Sequence, residues 1–359
     1  MSKEVLNIDT PVYIFNEQIY QMLSMVMMRP SNLGEQAKIV KGFFAPLREK
    51  SSFWLIYNTD DIIVHKDIPP YNIGRKAYEG QERYDGLKAI LSTVDFINVT
   101  TDTLRDYYVN EFNLDPAKFL VIPNYLPRWW IGEAYNLSNR MSLYKRHQKK
   151  PRIGVTSSTS HFDIEDLNNG QDDFTHINDF IRKTVHKYQW VFVGTIPNQL
   201  KDLAQNRLIE VHRGSDILNY PRELHDKNLT LIVAPLQDNK FNRCKSNIKL
   251  LESWALGIPV IAQNLPLYSK YTNCVFDTAE DLQKKIDKLL RTPNHYKKVI
   301  KENRAIIDFG DKNAPNGWWL EKNMDKWFRL FTLPKRGVTV KLNMDKIAKP
   351  DGDLPVLGV

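Results

Sequence analysis

Two short apolar runs rich in β-branched residues, 230–234 (TLIVA) and 258–262 (IPVIA), constrain this chain more than any other feature. Neither alternates polar with apolar positions. Each therefore suits a strand buried on both faces, a situation found almost only in parallel sheets covered by helices. Pro235 ends the first run, a polar loop follows from Gln237 to Cys244, and a helix is predicted from Lys245 or Ser246 to Leu256. Ser246 is a favourable N-cap and Gly257 a common terminator. A parallel strand–loop–helix–strand unit of this kind presents ligand sites at the carboxyl ends of its strands and the N-terminus of its helix.

At 100° per residue, Lys245, Lys249 and Glu252 fall on one stripe of the predicted helix, at i, i+4 and i+7. Ile248, Leu251 and Ala255 form the adjoining stripe, and Leu250 and Trp254 lie on the far side. A helix apolar on two sides is mostly buried. Its charged stripe either lines a cleft or forms a solvated face whose Lys249–Glu252 pair contributes only about 0.3–0.5 kcal/mol. The preceding loop and the flanking strands favour the cleft. Two ammonium groups with helix-terminal N–H donors match a diphosphate, and a carboxylate one turn further on matches sugar hydroxyls.

Strand–helix alternation recurs along the chain, which argues for a parallel α/β architecture. In the first half, strands are predicted over residues 12–15, 53–57, 95–99 and 119–122, with helices over 17–28, 33–50, 75–93 and 101–111. In the second, strands fall at 152–156, 190–194 and 208–211, and helices at 175–186, 220–225, 281–291, 296–308 and 318–331. The basic cluster at 145–150 (KRHQKK) reads as a solvated connector. It divides the chain into domains 1–150 and 151–316, followed by a helix at 317–331 and a loosely attached tail at 332–359. A length of 359 residues, 42% of them hydrophobic, suffices for two ordinary cores.

No apolar run is long enough to span a membrane, and the first residues lack the apolar core of a signal peptide. The two cysteines, Cys244 and Cys274, make neither a disulfide framework nor a zinc spacing. A cytoplasmic setting is expected. The net charge of +8 is spread along the chain and fits an anionic partner such as nucleic acid, a membrane surface, or a phosphate-rich substrate. Asp60 and Asp61 follow a predicted strand, where they serve either as a loop or helix cap or as acceptor contacts. They lack the Asp-x-Asp spacing of a metal loop; Asp351 and Asp353 have it, but in a polar tail, so no metal site is expected. Ser157 opens a loop rich in small hydroxyl residues, 157–163, that carries His161, a phosphate or acceptor contact or a structural or merely exposed residue.

The run at 234–268, APLQDNKFNRCKSNIKLLESWALGIPVIAQNLPLY, resembles the donor motif of GT-B glycosyltransferases of the family 4 type, in the branch reading PL-x-DN-x-FN-x-x-KSN-x-K-x-x-E. YNTDD at 57–61, DFINVTTDTL at 95–104, FLVIPNYLP at 119–127 and the loop at 154–163 resemble further stretches of that branch, in the same order. The resemblance implies an α/β GT-B fold, two Rossmann-like domains facing a central cleft, with a C-terminal helix returning to the first domain. Little precedes Val12, so the N-terminal domain is expected to be reduced. It further implies a retaining, metal-independent transferase that uses a nucleotide-sugar and requires no cofactor. On this reading Arg243, Lys245 and Lys249 clamp the leaving diphosphate, and Ser157, Ser246 and Asn247 add donor contacts. Glu252 takes the ribose, as the second of the family's two glutamates does. The first glutamate is replaced by Cys244, so the usual sugar contact is absent or falls to Asn242, Arg243 or Lys245, and Asn242 and Cys244 are expected as donor contacts near the transferred sugar. Asp60, Asp61 and His161 fall on the acceptor side. The acceptor expected from the basic charge and reduced first domain is a hydroxymethylated pyrimidine in double-stranded phage DNA. A cell-surface glycan, polysaccharide or protein is the alternative, and an inactive nucleotide-binding module a further one.

Overall fold

The computed structural model describes residues 25–50, 53–131 and 135–331. The strand expected at 12–15 and the tail at 332–359 lie outside them. Two wholly parallel sheets organise the chain. The first has the order β1 (Met25–Met28), β2 (Trp54–Asn58), β3 (Phe96–Val99), β4 (Phe119–Val121). The second contains β5 (Arg152–Ser157), β6 (Gln189–Gly194), β7 (Glu210–His212), β8 (Leu231–Ala234), β9 (Val260–Gln263) and β10 (Val275–Phe276), in the order β10-β9-β8-β5-β6-β7. β8 is buried at every position, as its unbroken apolar run requires.

Three local expectations are corrected. Residues 25–28, read as the end of a Met-rich helix, are strand β1, paired from Met25 to Met28 with Trp54 to Tyr57. Helix propensity is a weak prior, and a parallel ladder that completes a buried sheet outweighs it. The helix expected over 75–93 is broken at Gly80 (φ 103°): a 3-10 turn precedes it and helix α1 (Gln81–Thr93) follows. The helix expected from Lys245 starts instead at α2 (Ile248–Ala255), behind a separate short turn, Lys240–Arg243. The Asn239 side chain accepts from the N–H of Asn242 and so caps that earlier turn. Ser246 is no cap, because its Oγ accepts from Asn124 Nδ2 of the first domain at 2.9 Å. Only Lys249 and Glu252 therefore ride on α2.

Other elements follow the sequence closely. The helical rod from Leu33 to Lys50 is present, with a π-helical turn at Val40–Phe44. Gly86 of α1 lies against its start, where an added Cβ would sit 2.6 Å from the Leu33 carbonyl oxygen. Gly86→Ala is expected to lower stability by about 1–3 kcal/mol, the cost of overpacking against backbone that cannot yield; chemical denaturation checks this. Gly257 ends α2 at φ 70°, where glycine is unstrained. The helix expected over 318–331 is an exception: Leu126 and Trp319 bridge in parallel, with hydrogen bonds from Leu126 N to the Trp318 carbonyl and from Leu320 N to the Leu126 carbonyl, so the helix forms only over Met324–Phe331. The C-terminal segment thus returns to the stretch after β4. Among the described residues no helix is long and apolar enough to cross a membrane.

The two sheets meet through the loop after β8. Phe241 and Cys244 pack into the core of the first domain with Leu104, Tyr108 and Phe112. Lys240 pairs with Asp67 at 2.8 Å, and Thr101 Oγ1 donates to the Cys244 carbonyl at 2.9 Å.

Candidate functional site

Strand order in the second sheet reverses between β5 and β8. From β5 the chain winds outward through β6 and β7; from β8 it winds the other way through β9 and β10. Loops leaving such a pair diverge and open a crevice at the carboxyl ends, the usual ligand position in open α/β sheets. Here the crevice faces the carboxyl ends of β2 and β4. Asp60, Asp61 and Asn124 from the first domain meet His161, Leu236, Lys245, Ser246, Ile248, Lys249 and Tyr268 from the second around a cavity of 170 Å³.

The loop after β5 enters this crevice through a close crossing. Gly194 of β6 has φ 112°, and a Cβ there would lie 2.2 Å from the Ser157 carbonyl oxygen. Only glycine lets the strands run together at that point. Lys249 reaches back from the first turn of α2 and donates to the carbonyl of Thr156, at the end of β5. Burial pushes its ammonium down to about 8, against the pull of Glu252. Burial likewise pushes the Glu252 carboxyl up to about 7, with Lys249 opposing. The Tyr220 phenol neighbours Glu252 and Thr156.

Lys245 stands opposite, its Nζ 4.7 Å from the Phe241 ring centroid and 4.0 Å from Asp61 Oδ1. Burial raises the Asp61 carboxyl above its ordinary range, while Lys245 draws it down. Asp60 is turned outward to Arg29 at 3.3 Å.

His161 is held from behind by a buried carboxylate. Its Nδ1 lies 2.7 Å from Asp173 Oδ2. The other oxygen, Asp173 Oδ1, accepts from Tyr71 Oη at 2.8 Å, Gln237 N at 2.8 Å and Asn242 Nδ2 at 2.7 Å. Burial works against the charge of Asp173, but its hydrogen bonds, with His161 foremost, hold the carboxyl below the usual range. Burial lowers His161, and Lys245 and Lys249 add to that, while Asp173 opposes them. A neutral imidazole that donates through Nδ1 to Asp173 keeps Nε2 as an acceptor.

The structure brings Lys245, Ser246, Lys249, Asp60, Asp61 and His161 together around this cavity. It places the other expected residues differently. Arg243 is exposed and bound to Asp238 through both ends of its fork, at 2.5 and 2.6 Å; with Asn247 it lines a neighbouring cavity. Asn242 is buried in the Asp173 network and supports His161 from below. The Cys244 thiol points into the first domain, 3.7 Å from the Thr103 carbonyl, and burial pushes it up to about 12. It is a core thiol and no part of the cavity wall. Ser157 sits at the mouth of the β5 loop, and Glu252 lies one turn beyond Lys249 on α2.

Sequence reasoning missed Asp173, Tyr71 and Tyr268. The pair Asp172-Asp173 was visible, but nothing in its polar surroundings distinguished the carboxylate bound to His161 from an ordinary loop acid.

No family model and no curated protein matches this sequence. Solved structures do resemble it in fold. Alr3699/HepE of Anabaena, in complex with UDP and glucose, superposes with a TM-score of 0.59 at 12% identity, over 88% of this chain and 80% of that one. An E. coli structure described as trehalose-6-phosphate bound with UDP-2-fluoro glucose gives 0.56 at 11% identity, over 89% and 75%. A glycosyltransferase from Rickettsia africae gives 0.52 at 16% identity, over 84% and 79%. The fold is GT-B: two Rossmann-type parallel sheets with their carboxyl edges turned to one cleft.

Proposed function

We propose that this chain is a glycosyltransferase that moves a sugar from a nucleotide-sugar donor, UDP-linked in the first instance, to an acceptor hydroxyl. One observation carries the reading: two lysines from the β8–α2 segment converge with His161 on a single cavity at the β5/β8 switch point. The donor diphosphate lies at the start of α2, where Lys249, Lys245 and the first N–H groups of the helix meet it. Glu252 accepts from the ribose hydroxyls. As the bond between the anomeric carbon and the diphosphate oxygen breaks, negative charge grows on the leaving group, and the lysines stabilise it. The acceptor hydroxyl enters beside Asp61 and His161; its oxygen forms the new bond to the anomeric carbon, and its proton passes to the leaving diphosphate oxygen. The resemblance to family 4 favours retention of anomeric configuration.

Nucleotide release from a panel of UDP-, GDP- and dTDP-sugars, followed by NMR of the product's anomeric proton, tests both parts. Hydroxymethylated duplex DNA and free glycans belong in the acceptor panel. A protein that binds no nucleotide and releases none would overturn the proposal.

A pH profile follows from the same pair. As pH falls through about 7, Glu252 gains a proton and ceases to be a full acceptor; as pH rises through about 8, Lys249 loses its charge. The kcat/KM for the donor is expected to be bell-shaped, with its maximum between those limbs. Glu252→Gln removes the acidic limb and keeps the alkaline one.

A further inference from the structure

A second cavity of 330 Å³ adjoins the first, and Lys245 lines both. Lys270 and Lys312 stand in its wall, and among the described residues neither has an ion-pair partner. Two other charges in its wall are already engaged: Arg243 is held by Asp238, and Asp102 by Arg105 at 2.7 Å. Asp311, which lies near Tyr271, accepts through Oδ1 from the N–H groups of Asn313 and Ala314, while its Oδ2 is buried without a hydrogen-bond partner.

The same wall contains four side-chain donors without a hydrogen-bond partner: Asn313 Nδ2, Asn247 Nδ2, Trp318 Nε1 and Thr100 Oγ1. The residues of the last three are only 4%, 1% and 9% exposed. Buried donors left unpaired are rare in folded proteins and call for an explanation. The helix Asp102–Phe112 also begins at this wall and adds its positive end. Unpaired lysines, orphaned donors and a helix N-terminus share one preference, a compact anion with several acceptor oxygens. Tyr271 and Trp318, with ring centroids 5.6 Å apart, give the cavity an aromatic side against which a sugar ring can lie.

We propose that this cavity binds a phosphate group carried by the acceptor, so that the substrate is a small phosphorylated molecule whose free hydroxyl reaches past Lys245 into the transfer cavity. The inference rests on the glycosyl-transfer reading. A volume of 330 Å³ admits a group of about monosaccharide-phosphate size and excludes a nucleic-acid duplex.

The test saturates the protein with UDP and then titrates inorganic phosphate calorimetrically. Phosphate is expected to bind as an additional ligand, and the double variant Lys270→Ala/Lys312→Ala to weaken it by at least about tenfold while UDP affinity stays unchanged. Phosphate that cannot bind once UDP is present, or that binds the double variant equally well, overturns the proposal. Phosphate binding that persists in a protein with no affinity for UDP or any nucleotide-sugar sinks the donor reading and leaves the anion site standing. Displacement of phosphate by a hexose 6-phosphate supports a small acceptor. Displacement by a short single-stranded oligonucleotide and by no sugar phosphate overturns that choice in favour of nucleic acid.

Discussion

Lys249→Ala is expected to lower kcat for sugar transfer by about 10²–10³-fold, the usual cost of removing one donor aimed at a developing oxyanion. The ammonium is half-buried and tied to the Thr156 carbonyl, so its position is set before substrate arrives. A group fixed in this way reorganises little as charge builds on the leaving diphosphate. Loss of the side chain also leaves Glu252 without its cation, so the carboxyl rises further and UDP binding should tighten at higher pH than in the wild type. Lys249→Arg keeps the charge but cannot place it at the same point on a crowded strand end, and an intermediate loss is expected. Rapid-quench measurement of transfer, beside a thermal melt to confirm folding, checks the result. Turnover within a factor of a few of wild type would remove Lys249 from the clamp.

The second large effect is expected at Glu252. Glu252→Ala should raise KM for the donor by about 10–100-fold with a much smaller change in kcat, because hydrogen bonds to an ionised group contribute about 1.5–3 kcal/mol and the ribose is remote from the breaking bond. Among the described residues the carboxylate has no hydrogen-bond donor from the protein; its neighbours are Lys249 and the Tyr220 phenol. It is therefore an acceptor held ready at partial burial. A nucleoside diphosphate and the same compound lacking both ribose hydroxyls separate the roles. The variant should bind the two alike, whereas the wild type should prefer the first. An equal preference in both proteins would contradict the ribose assignment.

Much of this was legible in the residues. The runs that became β8 and β9 could be placed because an unbroken apolar segment of that length, bounded by Pro235 and Gly257, has few other uses. Thr101 caps its helix, its Oγ1 accepting from the N–H of Leu104 at 3.1 Å. Lys249 and Glu252 were legible as a pair because one helical turn separates them. Lys245 precedes the helix and shares no stripe with them. It reaches the cavity from a loop, carried there by Asn239 capping one turn and Asn124 holding Ser246 from across the cleft.

Local pattern thus determined the strands, most helices and the chemical character of the β8–α2 segment, since periodicity, caps and breakers act over a few residues. Tertiary structure alone decided which side chains share a cavity. Asp173 lies 12 residues from His161 and 102 from Tyr71, yet one carboxylate joins them. Cys244 became a core thiol of the other domain, and Met25–Met28 became a strand, because partners distant in sequence supplied the burial and hydrogen bonds. Contacts of that kind depend on how two sheets are set against each other, and no short-range signal in the chain encodes that geometry.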